Sequence, residues 1–262
     1  MSYYDFVPVD STLRKVSYPD SRLKYNNMYI IRPTFRAKTD LHVSSGKKKL
    51  VKRGSRFEIL LQHYRNSNGI PVIPGSSFKG AVSKNFLALC GSAEMTANLF
   101  GAAKKRAVIS KLFFSDLIPE GNVKIREVEV LRQWKPQSSM KGHVKFYIGR
   151  SPKTKRYGLV ECIPSGTIIR GKINGYNLND IELGGLLASM GYGIDKAVFK
   201  IGYAKPQGFG QLELVKVELY EILFDWMSFR EIQKDPEIFF REFHEKFEKR
   251  IKDYAQIIFR GI

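Results

Sequence analysis

The amino-acid sequence predicts an α+β fold. Segments with the period-2 alternation of strands flank segments with the 3.6-residue period of helices. They come as strand, helix, strands, strands, helix, strands and a helical tail, which departs from the strict alternation of a parallel α/β sheet. Hydrophobic residues make up 43% of the 262 positions and charged residues 26%, a balance that buries a sizeable core and argues against disorder.

Residues 1–27 are polar, contain Pro8 and Pro19 and show little periodicity, so they read as an extended arm or loop. From Met28 to Val43 the residues Tyr29, Ile31, Phe35 and Ala37 alternate with Ile30, Arg32, Arg36 and Lys38, a strand pattern. A basic segment with glycine and serine follows from Ser44 to Arg56, and reads as a loop. Phe57 to His63 fits a short strand or a helix, and Asn66, Asn68 and Gly69 make a turn before the apolar strand Ile70 to Ile73. Pro74-Gly75 ends that strand, and Ser76 or Ser77 suits the N-cap of a helix whose apolar face is Phe78, Val82, Phe86 and Leu89. Strands are expected at Val108 to Ser115 and Lys124 to Arg132, and a polar hairpin from Trp134 to Ile148. Leu159 to Ile173 reads as strand broken at Pro164-Ser165-Gly166, and Asp180 to Met190 as a short apolar helix. Val198 to Gly202 and Phe209 to Glu221 read as strands around a glycine loop. Phe229 to Phe259 is helical by spacing, with Phe239, Phe243, Phe247, Ile251 and Tyr254 on one stripe. This order is that of a ferredoxin-like (RRM-like) βαββαβ core with large insertions. The expected organisation is an arm over 1–27, a domain over 28–225 and a C-terminal helical segment over 226–262.

Charge narrows the partners. Lysine and arginine total 44 against 25 aspartates and glutamates, a formal net charge of +19. So large an imbalance favours a polyanion, with nucleic acid first and an anionic membrane surface second. Cys90 and Cys162 stand far apart in apolar surroundings and read as buried thiols of a reducing compartment. The N-terminus lacks the pattern of a secretory signal and no run approaches the length of a bilayer span, so a soluble, cytoplasmic protein without a membrane partner is expected.

Three segments can do chemistry. Ile73 to Gly80 joins a strand to a helix start, where outward N–H groups and the helix dipole favour an anion; Ser76, Ser77 and Lys79 add donors and charge. An ordinary capped helix is the plainer reading of the same residues. Gly202 to Gly210 is a glycine loop between strands, holding Lys205, Gln207 and Gly208; it fits close backbone approach to a ligand, or a plain hairpin turn. The basic run contains Lys47, Lys48, Lys49, Lys52, Arg53 and Arg56, suited to phosphate contact or to a solvated face. Trp134, Tyr147 and Tyr157 lie among Arg132, Lys135, Lys141, Lys145, Arg150, Lys153, Lys155 and Arg156, an interleaving of bases and rings that suits single-stranded nucleic acid. No histidines have metal-ligand spacing. His42 lies beside the basic run, and His244 lies in the helical tail.

Taken together, these segments resemble the RAMP superfamily of CRISPR-associated proteins. Ile-Pro-Gly-Ser-Ser-Phe-Lys-Gly at 73–80 is similar to the family's Pro-Gly-Ser-Ser-Leu-Lys-Gly motif, with Phe78 for leucine. Leu99-Phe100-Gly101 with Phe114-Ser115-Asp116, Glu161 to Thr167, and the glycine loop Gly202 to Gly210 resemble its later landmarks, in order. The resemblance implies a ferredoxin-like architecture, binding of CRISPR RNA and complementary target RNA, and assembly with other Cas effector subunits. The Pro-Gly-Ser-Ser form implies a backbone-type subunit of a type III (Csm/Cmr-like) antiviral complex. In such subunits an aspartate after the first strand cuts target RNA with a divalent metal. Here Leu41 to Lys49 carries lysines at that place, and Asp40 precedes His42, outside the family position.

The expected function is therefore RNA holding without cleavage and without a cofactor, through Lys47, Lys48, Lys49, Lys52, Arg53, Ser76, Ser77, Lys79, Gly202, Lys205, Gln207, Gly208 and Gly210. The alternative is an endoribonuclease, either metal-dependent through Asp40 or metal-free with His42 as general base. A third reading is a basic scaffold that binds protein partners through the Phe229 to Phe259 helix.

Overall fold

Residues 28–37 form the strand around which the chain is organised. The computed structural model describes residues 3–12, 27–103, 107–132, 140–152, 155–225 and 228–262. The elements in chain order are β1 (Tyr4–Pro8), β2 (Met28–Ala37), β3 (Ser44–Arg53), β4 (Arg56–His63), α1 (Gly75–Cys90), α2 (Ala93–Phe100), β5 (Leu112–Phe114), β6 (Ile118–Pro119) and β7 (Arg126–Leu131). They continue with β8 (His143–Tyr147), β9 (Arg156–Cys162), β10 (Ile168–Arg170), β11 (Ile173–Tyr176), α3 (Asp180–Ser189), β12 (Phe199–Lys200), β13 (Gln211–Asp225), β14 (Ser228–Lys234) and α4 (Pro236–Ile258).

In the main sheet β2 pairs antiparallel with β13 on one side and with β10 and β11 on the other. β6 flanks β10, and β5 flanks β11. Taken as core strands, the order across the sheet is fourth, first, third, second, with α1 after the first and α3 after the third. That is the ferredoxin-like βαββαβ arrangement within an α+β fold. Pro33 lies inside the central strand, where proline has no N–H to donate. The third core strand breaks opposite it, between Arg170 and Ile173, and Gly171 donates its N–H to the Pro33 carbonyl at 2.9 Å.

The helices cover one face of this sheet. Phe78, Val82, Phe86 and Leu89 are all fully buried, so the apolar stripe read from the sequence is the core face of α1. Phe35 stacks on Phe199 with centroids 5.4 Å apart, and Phe78 meets both rings edge-on at 5.9 and 6.0 Å. α3 lies close to α4: a Cβ on Gly184 would collide with the Phe239 carbonyl, and one on Gly185 with the rings of Phe86 and Phe243. Asn179 caps α3 in a reciprocal box with Glu182. A second sheet of order β3-β4-β9-β7 closes over a small cluster of Leu61, Val130, Val160 and Cys162.

Several local expectations change. The N-terminal arm contributes β1, paired with β8, and buries Val7 in the core. The basic segment is no loop: it is β3, hydrogen-bonded to β4 as a long hairpin. Its side chains are exposed on both faces, so no burial pattern marks it as a strand. Pro71 and Ile73 make only isolated bridges. The N-cap of α1 is Pro74 without a side-chain bond, so Ser76 and Ser77 lie inside the first turn. α2, capped by Ser92, lacked a clear period over its 8 residues. The predicted hairpin around Trp134 lies partly outside the described residues; its second half is β8, whose partner is β1. The C-terminal helical reading starts too early, because Ser228 to Lys234 extend the sheet as β14. Cys90 and Cys162 are buried and unpaired. Among the described residues no helix is long and apolar enough to cross a membrane.

The glycine contact between α3 and α4 is testable. Gly184→Ala should destabilise the chain by about 1–3 kcal/mol through overpacking. Gly80→Ala, where a Cβ meets nothing within 4 Å, should stabilise it by about 0.5–1 kcal/mol. Denaturant midpoints of the two variants check both signs.

Candidate nucleic-acid interface

α1 presents a second face beside its core face. Ser77, Gly80, Ala81 and Lys84 recur at helical spacing and form one wall of a cleft of about 420 Å³. The opposite wall is Lys200, Ile201, Gly202, Tyr203 and Lys205, and Val43, Phe146 and Tyr147 complete it. The two sequence motifs thus meet across one space.

Each residue of the first motif has a distinct task. Gly75 sits so close to the Phe114 carbonyl that a Cβ cannot fit. Its N–H donates to the Asp116 carboxylate at 2.8 Å, so the chain supplies an anion of its own at the helix N-terminus. The phosphate cradle expected at that turn is partly filled from within. Phe78 belongs to the core, Ser77 and Gly80 line the cleft, and Ser76 and Lys79 lie outside it.

The glycine loop is held from both sides. Tyr203 donates its N–H to the His42 carbonyl at 2.8 Å, and Gly210 donates to the Asp40 carbonyl at 2.9 Å. Gly202 and Gly210 have φ of 89° and 69°, and a Cβ on either would strike backbone carbonyls of His42 or Ile201. Gln207 uses its whole amide on Leu131, accepting from its N–H and donating to its carbonyl at 3.0 and 2.9 Å. It pins the loop to β7. Gly208 and Gly210 also shape the loop and lie outside the cleft.

The electrostatics are one-sided. Lys84, Lys200 and Lys205 are half-buried, and among the described residues none of them has a carboxylate partner. Burial, with Lys205 and Lys145 nearby, pushes the Lys84 ammonium down to about 8. Burial, with Lys84, Arg260 and Lys205, pushes Lys200 down to about 7, and burial also lowers Lys205. Lys84 lies 4.4 Å over the Phe146 ring. Sequence reading passed over Lys84 and Lys200. Their spacing from Ser77 and their adjacency to the glycine loop were the available signals.

The hairpin residues lie elsewhere. Lys47, Lys48, Lys49 and Lys52 are exposed along β3, which starts at the cleft rim with Ser44. Arg53 is paired with Glu127. Phe57 is 69% exposed opposite Lys52, so a ring and a cation are neighbours on the hairpin, and Tyr157 is exposed on β9 of the same sheet. Trp134, Lys135 and Lys153 lie outside the described residues.

Both candidate catalytic residues make structural contacts. Asp40 accepts the Ser165 N–H at 3.0 Å and faces Arg126 at 3.5 Å. His42 is fully buried, donates from Nδ1 to the Glu161 carbonyl at 2.7 Å and is held below its usual range by burial. His63 accepts the Val43 N–H and bonds the Val72 carbonyl, and burial beside His42 pushes it down to about 4. Among the described residues no three His, Cys, Asp or Glu side chains are grouped as metal ligands.

In comparison with known families, the model described as the RAMP superfamily matches residues 34–257. No curated protein matches the chain.

The lysine cluster predicts a pH dependence. Lys200 releases its proton near pH 7 when folded and near 10.5 when unfolded, so the unfolded chain binds more protons between those values. Stability then rises with pH across that window. The melting temperature of the RNA-free protein should climb from pH 7 upward, and Lys200→Met should flatten the climb.

Proposed function

The chain belongs to the RAMP superfamily, whose role is CRISPR-associated RNA binding, and on that premise we propose that it is an RNA-holding subunit of a type III (Csm/Cmr-like) effector ribonucleoprotein. The observation that carries this reading is the cleft in which Ser77 and Gly80 of one motif face Gly202 and Lys205 of the other, lined with lysines that have no carboxylate partner among the described residues. The net charge of +19 supports it, since a polyanion relieves the self-repulsion. In this reading CRISPR RNA runs past the cleft and along β3, where Lys47, Lys48, Lys49, Lys52 and Arg53 contact phosphates. Complementary target RNA and the other Cas subunits are the remaining partners.

Holding without cutting is the preferred role. Lysines occupy the segment where the resemblance implies a cutting aspartate, and the Asp40 carboxylate is engaged by Ser165 and Arg126. His42 has no solvent exposure from which to act as a base.

Two measurements test this reading. Replacing Lys47, Lys48, Lys49, Lys52 and Arg53 together should weaken binding of single-stranded RNA and flatten its salt dependence, by about 0.7 in the log–log slope for each phosphate no longer neutralised. Unchanged affinity across a salt series would remove the hairpin from the interface. Guide and target RNA incubated with the protein, alone and in its complex, with magnesium or EDTA, should stay intact at this subunit. Regular cuts abolished by Asp40→Ala would instead establish a metal-dependent endoribonuclease.

A further inference from the structure

Lys84, Lys200 and Lys205 come from three different elements, α1, β12 and the glycine loop, and line one cleft. Half-buried ammonium groups without a carboxylate partner among the described residues are costly, because each loses hydration that its other contacts replace only in part. Their hydrogen-bonding capacity is only partly used. Lys200 donates to the carbonyls of Tyr147 and Arg260 at 2.8 and 2.7 Å, and Lys205 donates to the Gly202 carbonyl. An ammonium has three N–H groups, so both keep a free donor. Lys84 makes no hydrogen bond among the described residues and is held only by the Phe146 ring. Ser77 adds a hydroxyl to the same wall. Lys145 acts on Lys84, and Arg260 on Lys200, as nearby positive charges.

We propose that this cleft is a socket for a single phosphate group, held by Lys84, Lys200, Lys205 and Ser77. The proposal rests on the RNA-holding reading and sharpens it: one RNA backbone phosphate enters here, while the β3 lysines act as a diffuse track. A point charge with several acceptor oxygens is what convergent ammonium donors fit best. The cleft volume of about 420 Å³ exceeds a phosphate, which leaves room for the attached sugar. The absence of a side chain on Gly80 keeps that room open. Inorganic phosphate offers the same chemistry as the RNA backbone, so it can fill the socket in the free protein.

Nuclease-treated full-length protein separates the two sources. With inorganic phosphate at constant ionic strength, its melting temperature should rise relative to chloride, and the rise should be lost in Lys84→Met and in Lys205→Met. Without phosphate, Lys84→Met should melt no lower than the parent, because it removes an uncompensated charge. A lysine with a purely structural role would behave in the opposite way. With single-stranded RNA, the Lys84→Met/Lys205→Met double variant should bind more weakly, with a log–log salt slope smaller by about 0.7–1.4. Phosphate stabilisation that is absent, or that survives both substitutions, overturns the socket; the RNA reading then stands if RNA still binds. Phosphate stabilisation with no RNA binding by the parent protein keeps the socket and removes the RNA reading.

Discussion

Three rings hold the functional architecture in place. Phe35 of β2, Phe78 of α1 and Phe199 of β12 are fully buried against one another, at centroid distances of 5.4 to 6.0 Å. Burying each ring is worth about 1.5–3 kcal/mol, and edge-on pairs add to that. The consequence for function is directional. Side chains alternate along a strand, so the inward turn of Phe199 sends Lys200 the other way, toward the cleft. On α1 the inward turn of Phe78, Val82 and Phe86 leaves Ser77, Gly80 and Lys84 on the cleft side. A hydrophobic constraint thus aims a set of cations.

Polar contacts then fix the loop that closes the cleft. Gln207 ties it to β7, the carbonyls of Asp40 and His42 receive the N–H groups of Gly210 and Tyr203, and Lys205 bonds back to Gly202. Glu161 serves as a hub beneath: its carbonyl accepts from His42, and its carboxylate takes the His63 N–H and faces Arg65. The histidines beside the loop are thus tied into the same polar network. The cost of the unneutralised lysines is offset by the buried aromatic floor and by this network, and a bound anion would remove that cost.

Much of the fold was legible along the chain because side-chain periodicity is a local property. The α1 stripe, the central strand and α3 each announce themselves within a single short stretch. β3 did not, since it is exposed on both faces and owes its form to hydrogen bonds with β4. The start of α1 was misplaced by two or three residues because a partner of its first turn, Asp116, lies far along the sequence. The C-terminal segment was read as helix throughout, yet Ser228 to Lys234 is held as strand by register with β13. Of the site, the two glycine-bearing motifs were visible as motifs, while their facing arrangement was not.

The sequence by itself determined the α+β class, the order of the ferredoxin-like elements, the core stripes, the large positive charge and the resemblance that the family match upholds. Only the tertiary structure decided which cations share a cleft. Lys84 stands far along the chain from Lys200 and Lys205, and their meeting depends on the seating of α1 against the sheet and on the register of β12 with β13. Hydrophobic periodicity acts between neighbours in sequence. Electrostatic repulsion among half-buried charges acts through space, so it exists only once the fold has brought them together.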